Sequence, residues 1–406
     1  MNPELKGFLL LSVLKMLVVF TVVMVGVALL TLMERKVSAW MQNRRGPNRV
    51  GYAGLLQPVA DGVKNFAKEE TFPAEANPVL FLLAPAMAFI PALLLSAVIP
   101  WAAPLQVDLD RSFWLIGHVT YHGRLVMAVA DLPVGFLFVL AISSLGVYGI
   151  ALAGWASNSK YSLLGGLRAS AQMVSYEVAM GISLVPVLLL TGNATFSEVI
   201  HAQQQGLWFV LPLTLSFFIF LVAGLAETNR LPFDLPEAES ELIAGYHTEY
   251  SAMKFSMFPI AEYANMVTVS AMTATLFFGG WDWFGRWDES GTLLVTLLTG
   301  AGMFLKTFFF LFLIMWIRWT LPRFRYDQLM ALGWKFLIPL ALAYVMVVCF
   351  VLWVLETIAG GMSVVGKQLV LFGVSAVLCY VVFFILDRGA ILSGSYHRRA
   401  DATARS

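Results

Sequence analysis

The sequence predicts an all-α polytopic transmembrane helix bundle of about nine spans, with the N-terminus outside and the C-terminus cytoplasmic. Three observations carry this. Hydrophobic residues make up 59% of the 406 positions and charged residues only 13%, whereas soluble chains run nearer a quarter charged. The apolar residues come in unbroken blocks of bilayer-crossing length, for which about 20 residues suffice. Lys and Arg lie mostly on one side of those blocks, the side that stays cytoplasmic.

The blocks fall at 8–32, 79–101, 125–149, 169–190, 208–226, 256–278, 293–317, 336–355 and 369–386. They are continuous rather than alternating, so they predict helices and not barrel strands. The first is too long for a signal peptide and carries no small-residue cleavage pattern, so it reads as a retained span. Pro85, Pro91, Pro186 and Pro339 lie inside blocks and predict kinks. The cytoplasmic side collects Arg35, Lys36, Arg44, Arg45, Arg49, Lys64, Lys68, Lys160, Arg168, Arg230, Lys254, Arg318 and the tail arginines. The other side has Lys6, Arg111, Arg124, Arg286 and Lys367.

Two connections on the positive side, 33–77 and 227–255, are long and rich in charge, as functional connections usually are. Within the first, Leu56, Val59, Ala60, Val63, Phe66 and Ala67 recur at helical spacing, with Asp61, Lys64, Asn65 and Lys68 opposite. That pattern predicts an amphipathic helix over 55–68, at the membrane interface or against a partner.

Composition also excludes functions. A net charge of +1 gives no electrostatic footprint for nucleic acid. Iron–sulfur clusters take about four thiolates, and the chain has two cysteines, Cys349 and Cys379. No redox cluster or metal is expected in this chain, so an electron carrier would sit on a partner.

Asp131, Glu177, Glu262, Lys15 and Lys306 fall inside predicted spans. A charge at the bilayer centre costs roughly 2.5–3.5 kcal/mol, so such residues face protein or water. Asp131 reads equally as half of a helix-locking ion pair and as a functional acid. Glu177 and Glu262 read as functional, since burial moves a carboxyl toward the proton-exchanging range. The run 227–241 holds five carboxylates: Glu227, Asp234, Glu237, Glu239 and Glu241. Asp234 and Glu237 fit a capping box, but Glu237 and Glu241 repel across one helix face. Crowded carboxylates near apolar walls titrate as a group. A solvated helix start and a shared proton store are both open on composition. Glu34-Arg35-Lys36 and the 318–327 segment read alone as membrane-surface anchors.

These stretches also carry a resemblance. Glu34-Arg-Lys-Val-Ser-Ala-Trp-Met-Gln-Asn-Arg-Arg-Gly-Pro-Asn-Arg-Val-Gly51 and Leu55-Leu-Gln-Pro-Val-Ala-Asp-Gly-Val-Lys64 look like the first cytoplasmic loop of one family. It is that of the quinone-facing membrane subunit of the proton-pumping NADH:quinone oxidoreductase, respiratory complex I. The likeness continues through Gly154-Trp-Ala-Ser-Asn-Ser-Lys-Tyr-Ser-Leu-Leu164, Ser175-Tyr-Glu177, the 226–241 run, Gly245-Tyr-His-Thr-Glu-Tyr250, Ala261-Glu-Tyr263 and Pro322-Arg-Phe-Arg-Tyr-Asp-Gln-Leu-Met330.

The resemblance implies an eight-helix membrane core over 1–360, whose loops 33–77 and 227–255 form a chamber for ubiquinone or menaquinone. A further helix and tail fill 361–406. Quinone would be the substrate, with no bound metal or cluster in this chain. The implied partners are a peripheral subunit with the terminal iron–sulfur cluster, the peripheral subunit of the quinone site, small membrane subunits and the lipid of a bacterial inner membrane. By position, Glu177, Glu227, Glu237, Glu239, Glu241, Glu262 and Asp131 match a proton pathway. Glu34, Arg35, Asp61, Lys64, Arg230, Asp234 and Arg318 match the chamber lining. Ser144 stands where some bacterial members carry a further acid, and Pro133 is placed to shift Asp131. Two rivals differ in class. One is the anchor subunit of a membrane-bound hydrogenase, which lacks the full 237–241 acid run. The other is a proton-coupled transporter, whose inverted repeats are not visible here.

Overall fold

The structure, a computed structural model, describes residues 3–113, 117–234, 244–283, 290–358 and 362–387. In hydrocarbon every backbone N–H and C=O must be satisfied internally, which leaves helices as the solution for continuous apolar runs. They form α1 (Pro3–Met41), α2 (Gln57–Ala67), α3 (Pro78–Leu95), α4 (Gly135–Ala156), α5 (Lys160–Thr191), α6 (Phe196–Gln204), α7 (Thr214–Glu227), α8 (Ala252–Phe277), α9 (Leu293–Thr320), α10 (Tyr326–Ile358) and α11 (Val364–Asp387). Among the described residues, seven helices are long and apolar enough to cross a membrane: α1, α3, α4, α5, α9, α10 and α11. The other two predicted spans correspond to α7, which is short, and α8, whose many Thr and Ser side chains are buried inside the bundle.

Local chemistry sets the boundaries. Asn77 caps α3, its Oδ1 accepting from Val79 and Leu80, and Pro78 follows in the first turn, where no donor is needed. Gly192, at φ 67°, ends α5 in the left-handed conformation and donates to Leu188 O at 2.8 Å. Pro85, Pro91 and Pro186 lie inside helices, as predicted. In α10 the turn Leu332–Leu337 widens to π geometry just before Pro339, which has no N–H to continue the ladder. Gly149 lets α4 approach the α3 backbone at Ala84–Ala88, where a Cβ would overlap main chain.

Two expectations need correction. The block 125–149 is not one helix. A β-hairpin, β1 (Leu105–Phe113) and β2 (Gly117–Leu125), pairs antiparallel from Leu105↔Leu125 to Phe113↔Gly117. Helix α4 starts only at Gly135, after Pro133 has broken the run. Asp131 therefore lies before a helix rather than inside one. It is exposed and accepts from Ser197 at 3.1 Å, at the hairpin end of the bundle. The block 208–226 also shortens. Residues 209–213 form turns, and α7 covers 14 residues, about 21 Å against a hydrocarbon core of roughly 30 Å.

The hairpin packs on α1, burying Val119, while Asp108, Asp110, His118 and His122 share its exposed face. Two in-span lysines have structural partners. Lys15 donates to Val126 O and Ala128 O, at 3.2 and 2.8 Å. Lys306 closes the end of α8 by donating to Phe278, Gly280 and Asp282 carbonyls at 2.8, 2.8 and 2.5 Å. The core has two parts. One, around α5, α7, α8, α9 and α10, includes Tyr176, Phe220, Phe277 and Phe310. The other, around α1, α3, α4 and α8, includes Phe81, Tyr246 and Phe258.

Candidate functional site: a buried line of charge

At the seam of the two cores, α1, α8, α9 and the turn after α7 bring charge together. Helix α1, about 58 Å at 1.5 Å per residue, is longer than a hydrocarbon core of roughly 30 Å, and Glu34 lies toward its C-terminal end, packed and 6% exposed. Helix α7 stops at Glu227, and Asn229 turns the chain with a positive φ of 50°. Gln172 on α5 holds that turn, its amide donating to Ala226 O at 2.9 Å, Phe233 O at 2.8 Å and Asn229 Oδ1 at 3.2 Å. The turn aims Arg230 inward.

Arg230 Nη1 lies 3.5 Å from Glu34 Oε1 and Nη2 lies 3.7 Å from Glu262 Oε2, with both side chains of each pair at most 10% exposed. Arg318, from the last turn of α9, also pairs with Glu34 Oε1. Tyr263 completes the group: its hydroxyl donates to Glu34 Oε2 at 2.6 Å and its ring lies 4.4 Å beneath the Arg230 guanidinium. Tyr246 donates to Glu262 Oε1 at 3.3 Å. Among the described residues, two acids and two guanidiniums thus meet in opposite-charge pairs, the condition under which buried charges persist.

Beyond Glu262 a cavity of about 20 Å³ opens, lined by Glu227, Thr228, Asn229, Tyr246, Glu262 and Asn265 among others. It has room for one water. Glu227 Oε2 and Asn265 Oδ1 are buried there with no hydrogen-bond partner among the described residues. Glu227 is in turn an electrostatic neighbour of Glu177. Ser144 donates to Glu177 Oε1, and Ser143 lies 3.5 Å from the same oxygen. Where the resemblance implied an additional acid, Ser144 instead holds this one. Arg168 does not reach Glu177; it lies over the Tyr326 ring.

A second cluster lies where α2 meets the end of α1. Arg35 Nη1 is 2.7 Å from Asp61 Oδ2, Lys64 Nζ is 3.7 Å from Oδ1, and Gln57 donates to Oδ1 at 3.1 Å. Burial would push the Asp61 carboxyl up, but the hydrogen bonds from Gln57 and Arg35 and the charges of Arg35 and Lys64 outweigh it and hold it below its ordinary range. No residue of α2 is buried; Val59, Val63 and Phe66 present an open apolar face, as an interfacial helix does. Beside it, α1, α8 and α9 border an apolar crevice of about 640 Å³ that includes Leu29, Met33, Trp40, Leu55, Val267 and Phe308.

The predicted residues therefore divide. Glu34, Arg230, Arg318 and Glu262 form one network; Glu227 and Glu177 continue it; Arg35, Asp61 and Lys64 form a separate surface cluster. Asp234 is tied through its carbonyl to Arg323. Asp131 joins none of these groups. Glu237, Glu239 and Glu241 lie outside the described residues. Sequence reasoning missed Tyr246, Tyr263, Gln172, Asn265 and Ser143. Both tyrosines stand in the motifs that carried the resemblance, and Tyr263 is next to Glu262, which was the available signal.

Known proteins match most of this chain. A family model described as NADH dehydrogenase matches residues 14–349. An NADH-quinone oxidoreductase subunit of Koribacter versatilis is 51% identical over 348 residues, 84% of this chain and 96% of the relative. The corresponding NADH-quinone oxidoreductase subunit of Cytophaga hutchinsonii is 46% identical over 345 residues, 84% of this chain and 96% of the relative. NADH-ubiquinone oxidoreductase chain 1 of Chondrus crispus is 48% identical over 345 residues, 85% of this chain and 98% of the relative. All the motifs of the charged line fall within the matched span, and the chain belongs to the NADH dehydrogenase family, as a membrane subunit of NADH-quinone oxidoreductase.

Proposed function

We propose that this subunit forms much of the quinone chamber of its translocase and passes the effect of quinone reduction to protons through buried carboxylates. The carrying observation is the succession of ionisable groups from Arg318 and Glu34 through Arg230 to Glu262, with Glu227 lining the same small cavity as Glu262 and Glu177 its electrostatic neighbour. The apolar crevice of about 640 Å³ suits an isoprenoid tail, since ligand sites are mostly apolar with few polar groups. The headgroup would face Arg35, Asp61, Lys64 and the mouth of the Arg318 network. A negative charge gained by the quinone pulls on Arg230 and Arg318, loosens their hold on Glu34 and Glu262, and so changes the proton affinity of each acid further in. Glu237, Glu239, Glu241 and Asp131 belong to the same proton pathway, and Asp234 to the chamber lining. Eight helices within 1–360 make the core, and α11 is additional.

The proposed setting is a bacterial inner membrane, with the Lys- and Arg-rich face cytoplasmic. The peripheral quinone-site subunit, the subunit with the terminal iron–sulfur cluster and small membrane subunits are the partners. A membrane-impermeant thiol reagent should label His122→Cys only from outside and Arg44→Cys only from inside; the opposite pattern reverses the orientation.

Arg35→Ala tests the chamber. The assembled enzyme should reduce quinone more slowly, with a raised KM, while NADH oxidation by an artificial acceptor on the peripheral arm is kept. Lys at this position keeps the charge but loses the planar fork and should recover part of the rate. Normal quinone kinetics in Arg35→Ala would reduce Arg35 to a membrane anchor.

A further inference from the structure

Helix α11 lies wholly beyond the segment the family model matches, yet it is not an idle extra span. One stripe of it is deeply buried: Gln368 at 4%, Leu371 at 1% and Ser375 at 1% exposed, with Leu378 and Cys379 continuing against the core, while Leu369, Val377, Tyr380 and Phe383 face outward. The spacing 368, 371, 375, 378 is one helix face. The stripe meets the irregular entry to α7.

That entry is chemically awkward. Residues 209–213 run as turns with Phe209 and Leu213 fully buried, and non-helical backbone at membrane depth is tolerated only where protein satisfies it. Among the described residues no backbone group bonds the Leu207 N–H or the Pro212 carbonyl; α11 supplies a partner to each, and Tyr344 of α10 also lies 3.5 Å from Pro212 O. Leu207 N donates to Gln368 Oε1 at 2.6 Å, and Ser375 Oγ donates to Pro212 O at 2.7 Å. Tyr344 OH lies 2.8 Å from Ser375 Oγ. With the serine proton committed to Pro212, Tyr344 is the donor in that pair, which ties α10 into the same joint. Gly206 fits the arrangement closely, since a Cβ there would overlap the Gln368 carboxamide although its backbone is ordinary.

We propose that α11 is a clamp on the hairpin end of α7, with Gln368 and Ser375 as positioning residues that fix the depth of Glu227 at the helix's other end. A 14-residue helix is short and stiff, so what holds one end sets the other. The clamp itself is independent of the proton-path reading; its effect on coupling rests on that reading.

The test uses the assembled complex. Hydrogen exchange of the 205–214 backbone should quicken about fivefold in Gln368→Leu, the size expected for one lost net hydrogen bond, and likewise in Gly206→Ala. Gly206→Ala combined with Gln368→Ala should exchange no faster than Gln368→Ala alone, because the colliding group is gone. Truncation after Ile358 should quicken exchange further and lower the protons translocated per quinone reduced, with electron entry from NADH kept. Should truncation prevent assembly, the three point variants carry the test. Unchanged exchange in Gln368→Leu, or additive effects of Gly206→Ala and Gln368→Ala, overturns the clamp. Faster exchange with an unchanged proton ratio, in an enzyme where Glu227→Gln does lower that ratio, overturns the positioning role alone. If Glu227→Gln leaves the ratio intact, the proton-path reading and the positioning role both fall, and exchange still judges the clamp.

Discussion

Glu177→Gln should give a complex that assembles and oxidises NADH with an artificial acceptor, but whose quinone-linked turnover and proton translocation fall on the order of tenfold or more. Gln keeps the shape of the side chain and the oxygen that accepts from Ser144 and Ser143. It removes only the ability to gain or lose a proton. Glu177 neighbours Glu227 electrostatically, so charge on one biases the other. Adding Glu239→Gln should cost much less than it does alone, because members of one relay are not additive. Native gels separate this from a structural role: a purely structural Glu177 predicts impaired assembly or no effect. An assembled Glu177→Gln enzyme that pumps at the normal rate removes Glu177 from the path.

The second large effect falls on stability. Arg230→Ala is expected to destabilise the subunit by about 3–5 kcal/mol, the cost of leaving buried charge uncompensated. Arg230 holds Glu262 and shares Glu34 with Arg318, and Tyr263 stacks beneath it. Its loss takes a guanidinium away from both Glu262 and Glu34, leaving Glu34 paired with Arg318 and hydrogen-bonded by Tyr263. Little assembled complex should accumulate, seen as loss of the full-size band and a lower melting temperature of what remains. Arg230→Lys keeps the charge but cannot span two carboxylates in one plane, and should recover assembly only in part. Arg230→Ala that assembles at wild-type level and melts normally would mean the network contributes nothing net.

The membrane class, the helices with internal prolines and the amphipathic helix α2 were legible because hydrophobic length and helical periodicity are local properties. The hairpin was legible and overlooked: Val107, Leu109, Val119 and Tyr121 alternate with Asp108, Asp110, Thr120 and His122. The predicted span 125–149 began at Leu125, the last residue of its second strand. The shortened α7 had one signal, Pro212, which the otherwise unbroken apolar residues 208–213 outweighed. Tertiary partners on α8, α10 and α11 satisfy their turns. At the site, single acids could be picked out by their cost in an apolar span. Their pairing could not, because Glu34, Arg230, Glu262 and Arg318 come from four separate segments. Lys15 and Lys306 show the limit of the cost argument, as both in-span cations donate to backbone carbonyls near the helix ends.

The central claim is that quinone reduction changes the protonation of Glu227, Glu177 and Glu262. Infrared difference spectra of the assembled complex, oxidised against reduced quinone, test it most directly. The account predicts carboxylic C=O bands that shift in heavy water and that are lost or altered in Glu227→Gln and Glu262→Gln. Spectra identical in the wild-type and both variants, from enzymes shown to reduce quinone, would contradict it.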